Sequence, residues 1–238
     1  MKWRVGLVLP QLDILTEPLL ARILGMKLAF HTSRLRRRGA IDRRSLKAMN
    51  ESLEPAVELL PSEALDLIVY HCTAGSLAFG AGLLVEQIEA MTGVPAIATL
   101  NSINEALHRL KVRNLTLVTP YDAPIVREEV NYFASSGFQI SAKGGRPVPD
   151  SLEMQGISQE EIVSWVRAAV SPDSEGVVIS CTGLQSFDAI EDLETVLGIP
   201  VVTSTSAMIR SMLDALHIPD SLSCGGMLLS GGMHREYA

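Results

Sequence analysis

Two of the three cysteines, Cys72 and Cys181, close apolar runs and precede a threonine, in "DLIVYHCTAGS" and "GVVISCTGLQS". A thiol at a strand's carboxyl end, just ahead of a helix, sits among backbone N–H groups at the positive end of a helix dipole. Both favour the thiolate. The same N–H groups, with the hydroxyls of Thr73 and Thr182, would form a nest for a carboxylate or a developing enediolate. Two opposed thiols can work on one substrate from both faces: one removes a proton or attacks carbon, and the other delivers a proton. Such chemistry needs no metal, flavin or pyridoxal, and it suits racemisation or isomerisation next to a carboxylate. A lone buried cysteine is usually a small hydrophobe, which is the reading for Cys224 in "SLSCGGMLLSGGM". The pair stands apart because its members share one local setting in the two halves of the chain.

The elements that would position them form a faint duplication. "RVGLVLP" (4–10) resembles "NLTLVTP" (114–120), Cys181 lies 109 residues after Cys72, and "GVPAIATLNSINEALHRLKV" resembles "GIPVVTSTSAMIRSMLDALHI". In that last pair Ile103, Ala106, Leu107 and Leu110, and likewise Ile209, Met212, Leu213 and Leu216, follow the spacing of a helix with one buried face. Strands are predicted near 4–10, 26–34, 66–71 and 95–99, and again near 114–119, 138–143, 176–180 and 200–203. A long helix near 43–60 should kink at Pro55, and Asp122 with Pro124 makes a helix start. Short apolar strands alternating with amphipathic helices imply parallel sheets covered on both faces. The fold class is therefore α/β: two pseudo-twofold-related Rossmann-like lobes, each a four-stranded parallel sheet flanked by helices. Residues 1–112 plus 218–238 make the first lobe and 113–217 the second. Ligands bind at the carboxyl ends of such strands; Pro10, Cys72, Thr99, Pro120, Cys181 and Thr203 all lie there, around one cleft between the lobes.

Bulk properties exclude several classes. The 238 residues are 47% hydrophobic and 20% charged, as in a folded globular protein, and the net charge of -7 argues against nucleic acid or an anionic membrane as partner. No apolar run approaches the ~18–20 residues that span a bilayer, and the apolar stretch of "MKWRVGLVLP" is too short for a signal-peptide core. Three scattered cysteines make neither a disulfide framework nor a zinc site, and the five histidines lack ligand spacing. The expectation is a cytoplasmic protein with reduced thiols and neither metal nor cofactor. A homo-oligomer is compatible with this reading.

On "GLVLPQLD", "YHCTAGS", "LVTPYDAPI", "VPDSLEM", "ISCTGLQS" and "GIPVVTSTSA", the sequence resembles the aspartate/glutamate racemase superfamily. Within it the resemblance is to the branch of maleate cis-trans isomerase, arylmalonate decarboxylase and the ectoine-utilisation protein A group. It implies a small carboxylate or dicarboxylate substrate, with Cys72 and Cys181 as nucleophile and proton-handling partner. It implies Tyr121, from "TPY", on a substrate carboxylate, and an oxyanion turn at Thr73, Ala74 and the Cys181–Thr182 backbone. Arylmalonate decarboxylase has glycine for the first cysteine, so retention of both favours isomerase or racemase. A decarboxylase using Cys181 as proton donor is the first alternative, and a non-catalytic small-carboxylate binding protein the second. Where maleate isomerases carry asparagines this chain has Asp13 and Ser151. A carboxylate at 13 repels a dicarboxylate unless protonated or turned away, or it could pair with a cationic group of a zwitterionic substrate.

The run "RLRRRGAIDRR" carries six arginines and one aspartate. Without interleaved aromatics it reads as a solvated loop, with Arg34 the member nearest a strand end and able to reach a carboxylate. His71 looks like a ready-made base, but adjacent strand residues point to opposite faces, so a packed, hydrogen-bonded role is expected.

Overall fold

The computed structural model describes residues 2–37, 39–219 and 221–231. β1 (Trp3–Pro10), β2 (Leu28–Leu35), β3 (Leu67–Tyr70) and β4 (Ala96–Ala98) form a parallel sheet in the order β2-β1-β3-β4. β5 (Asn114–Val118), β6 (Gln139–Gly144), β7 (Gly176–Ile179) and β8 (Val201–Thr203) form another in the order β6-β5-β7-β8. The topology is the same in both, as the duplication implies. The central strands are apolar and buried on both faces, Val5, Leu7, Val8 and Leu9 in one sheet and Val177, Val178 and Ile179 in the other. A sheet covered by helices on both sides requires this.

The first sheet is flanked by α1 (Thr16–Leu24), α2 (Arg43–Asn50), α3 (Leu53–Glu58), α4 (Thr73–Phe79), α5 (Ala81–Thr92) and α6 (Thr99–Arg109). The second is flanked by α7 (Ala123–Ser135), α8 (Ser151–Gln155), α9 (Gln159–Ala169), α10 (Ile190–Leu197), α11 (Ser204–Ala215) and α12 (Gly226–Leu229). The helix expected over 43–60 is broken rather than kinked, ending at Asn50 and restarting at Leu53. Pro55 cannot donate to the Glu51 carbonyl and its ring crowds that oxygen. The apolar face survives the break: Leu46, Met49, Leu53, Val57 and Leu60 are all buried. α7 starts where Asp122 and Pro124 set it, the Asp122 carboxylate accepting the Ile125 N–H at 3.1 Å.

α6 and α11 pack together between the lobes, burying Ile103, Leu107, Ile209, Met212 and Leu213. At the edge of this contact Ser211 donates to Glu105 at 3.0 Å and Arg109 pairs with Asp214 at 3.1 Å. The tail departs from expectation. Instead of returning to the first lobe, α12 packs on α10 and α11, Leu228 and Leu229 are buried, and the Met227 N–H reaches the Glu194 carboxylate at 2.8 Å. Two leucines and one carboxylate on the second lobe fix its position. Residues 220 and 232–238, also assigned to the first lobe, lie outside the described residues.

Candidate active site

Cys72 and Cys181 line one small cavity between the lobes, at the carboxyl ends of their strands. Cys72 is the N-cap of α4, and its Sγ accepts the Gly75 N–H at 3.3 Å. That approach needs a glycine: a Cβ at 75 would lie 2.4 Å from the Tyr70 hydroxyl oxygen and 2.8 Å from Met49 Cε. The turn is braced from behind, because Tyr70 donates to Asn50 and the Asn50 amide donates to the Gly75 carbonyl at 3.0 Å. Around Cys181 the expectation of a helix start fails. The chain turns through 181–186 into a 3-10 turn at Phe187–Ala189 before α10, so that Leu184 and Phe187 can bury their side chains. Cys181 Sγ accepts the Gly183 N–H at 3.2 Å and lies 3.2 Å from Met154 Sδ, while its own N–H donates to Ser204 Oγ at 3.0 Å.

Neither thiol is the ready thiolate that a strand–helix turn suggests. Burial pushes Cys72 up to about 11 and Cys181 up to about 12. Removal from water costs the charged form more than one or two N–H groups return. The opposing influences differ. The Gly75 N–H and the Arg37 charge favour ionisation of Cys72, and the Tyr121 hydroxyl and Gly183 N–H favour that of Cys181.

Pro10, Ala74, Tyr121, Thr182, Asp13 and Ser151 line the same cavity. Tyr121 is buried with its hydroxyl in hydrogen-bonding reach of Cys181, and burial holds that phenol well above 10, so it is a donor. Thr73 departs from expectation. Its hydroxyl is fully buried behind the cavity and pairs with Ser204 Oγ at 2.8 Å, which ties the α4 turn to α11 and through Ser204 to the Cys181 N–H. What Thr73 and Ala74 can offer a ligand is their N–H groups in the first turn of α4, which have no partner inside the helix.

Asp13 is also changed in role. Its carboxylate accepts the Leu15 N–H at 3.0 Å, the Thr16 N–H at 2.9 Å and the Thr16 hydroxyl at 2.7 Å. From two residues outside the α1 N-cap, Leu15, it takes up the N–H groups at the start of that helix. Arg34 is not in the cavity; it is bound to Glu17 and to the carbonyls of Asp13 and Pro10. The arginine that lines the cavity is Arg37, 8% exposed, donating to the Gly39 carbonyl at 2.9 Å and to Ser151 Oγ. Sequence reasoning passed over it inside a charged run. His71 is fully buried, bonded through Nδ1 to Thr99 at 2.9 Å and through Nε2 to Thr205 at 3.4 Å, and burial pulls it down to about 4. It is a neutral peg between the lobes. Gln155, also unforeseen, clamps the β1–α1 loop across the cleft, accepting the Ile14 N–H and donating to the Leu12 carbonyl, both at 2.8 Å. Among the described residues no group of three or more His, Cys, Asp or Glu is placed to hold a metal, and no helix is long and apolar enough to cross a membrane.

Two parallel four-stranded sheets with like topology, and one cysteine from each at a shared cavity, define a two-lobed α/β protein with a thiol-lined cleft. The arylmalonate decarboxylase (Amdase) family profile matches residues 22–229, and the chain belongs to that family. It is 30% identical to maleate isomerase of Nocardia farcinica over 240 residues, covering 95% of each chain. With arylmalonate decarboxylase of Bordetella bronchiseptica it shares 31% over 141 residues, 55% of each. The solved maleate cis-trans isomerase of Nocardia farcinica, in a mutant with a covalently bound succinylcysteine intermediate, superposes with a TM-score of 0.91. That match has 25% identity and covers 98% of this chain and 100% of the other.

Proposed function

We propose that the protein isomerises a small carboxylate by opposed-thiol chemistry, with Cys72 as nucleophile or base and Cys181 as proton donor. The observation that carries this reading is that both thiols line one cavity with unlike neighbours. Cys72 has the Arg37 charge nearby, which favours its sulfur anion, while Cys181 has the Tyr121 hydroxyl and the Met154 sulfur beside it. The Nocardia relative's succinylcysteine supports addition to an alkene. In that route Cys72 first gives up its proton to solvent, its thiolate sulfur bonds to one alkene carbon, and the π electrons pass to the neighbouring carbon as an enediolate. Cys181 protonates that carbon, the C–C bond turns, and reversal of both steps expels Cys72 and gives the other geometric isomer. The N–H groups of Thr73, Ala74 and Thr182 would hold the enediolate. On a saturated acid the same pair would remove and return an α-proton. The cavity, about 50 Å³, holds only a few waters at ~10–15 Å³ each, which favours a short aliphatic acid over an aryl one.

Proton NMR with maleate in deuterated water tests the reading. Cis-to-trans conversion, or solvent deuterium entering at the α-carbon of a small carboxylate, is the expected result. Loss of carbon dioxide from an arylmalonate would favour the decarboxylase alternative. No conversion and no exchange, with both thiols inert to iodoacetamide, would leave a binding protein.

A further inference from the structure

Arg37 is the one basic side chain lining the cavity among the described residues. The chain leaves β2 at Leu35, Arg36 faces solvent, and Arg37 turns inward until only 8% of it is exposed. A guanidinium carries five N–H donors and cannot lose its charge. Here two bonds engage it, both to neutral acceptors: the Gly39 carbonyl at 2.9 Å and Ser151 Oγ from the opposite lobe. No carboxylate of the described residues pairs with it within 4.0 Å. The other charge on the cavity wall, Asp13, is occupied by the N-terminus of α1. A desolvated, unpaired cation is costly, and this one is held in place by a side chain whose only visible use is to aim it.

We propose that Arg37 is the specificity-determining residue of the site, receiving the second carboxylate of the substrate, the one that does not become the enediolate. This rests on the cavity being the substrate site. Planar, two-pronged recognition is what an arginine supplies to a carboxylate, and Ser151 fixes the fork so that little freedom is lost on binding. The position explains how a chain with a carboxylate at 13 accommodates a dianion: Asp13 is hydrogen-bonded to the start of α1, and Arg37 presents the compensating charge. Arg37 thereby selects a short dicarboxylate over a monocarboxylate of equal length.

The test is calorimetric titration of the full chain with succinate and with butyrate, neither of which has an alkene to react. Wild type should prefer succinate. R37M should weaken succinate by about ten- to a hundredfold, the size expected for a charged hydrogen-bonded contact, and change butyrate by less than about threefold. R37K should fall between, keeping charge without the fork. A wild type with no preference, or an R37M that loses both ligands equally or neither, would overturn the proposal. If R37M fails to fold by circular dichroism, S151A decides: it should lower the succinate-to-butyrate preference by about three- to tenfold, and an unchanged preference overturns the inference. Because both ligands are inert, this outcome is independent of whether the thiols catalyse anything.

Discussion

The two cysteine turns occupy equivalent places in equivalent sheets, yet they are built differently. Cys72 caps a helix, its glycine is locked against Tyr70 and Met49, and a buried arginine stands nearby. Cys181 opens an irregular turn, touches a thioether, and has Tyr121 as its hydroxyl neighbour. Even the supporting helices differ: seven residues after the aspartate that binds its first N–H groups, α1 buries Leu20, where α7, seven residues after Asp122, buries Glu129. A duplicated frame carries two unlike surroundings, and in the proposed reaction these separate the roles of base and acid. The largest break in this comparison comes from removing each thiol. Cys72→Ala and Cys181→Ala should each lower kcat for isomerisation by about a thousandfold or more, read by NMR on the same substrate. Loss at Cys181 alone would sink the two-thiol mechanism.

The second contrast is mechanical. Gly75→Ala must push a methyl into the Tyr70 hydroxyl and Met49, disturbing the Asn50 brace, and should cost about 2–3 kcal/mol of stability. Gly183→Ala meets the Met154 sulfur at 3.1 Å, and that flexible thioether can shift. Its cost should stay within about 1 kcal/mol. Urea midpoints of both variants check this; equal losses would mean that the two turns are equally rigid.

Much of this was legible in sequence for physical reasons. Apolar run lengths and helical periodicity depend on burial alone, so all eight strands and the packed faces of α6 and α11 could be read. The thiol pair could be read because it repeats. What could not be read depends on the direction of single side chains. Arg37 differs from Arg36 only in pointing inward, and a run of charges does not encode that. Asp122 was readable as a cap because Pro124 follows it. Asp13 binds the Leu15 and Thr16 N–H groups from two residues outside the α1 N-cap, with no proline to announce a helix start, and its place where maleate isomerases carry asparagine made it read as a ligand group. The thiol acidities were misjudged because sequence shows the N–H donors of a turn but not how completely it is buried.

The smallest effect concerns Glu129, the carboxyl group buried behind the second turn. It is fully buried on α7, accepts a hydrogen bond from Ser180, next to Cys181, and has the Thr119 hydroxyl as a second neighbour. Burial pushes it up to about 8, well above the ordinary carboxylate range. The native state therefore holds a proton that the unfolded chain releases near pH 4.5. Where the native state binds more protons, stability falls as pH rises. The contribution is fully present below about 4.5, declines across neutrality and is lost once pH passes about 8. Glu129→Gln keeps the shape and removes the titration. The difference in urea midpoint, variant minus wild type, should therefore grow in the variant's favour between pH 5 and pH 9 and level off above. Leu20 leaves the first lobe without such a group, so this slope belongs to the Cys181 half. A midpoint difference constant across that range would show that Glu129 is already ionised in the folded protein, and the two halves would then be less unlike than their surroundings make them.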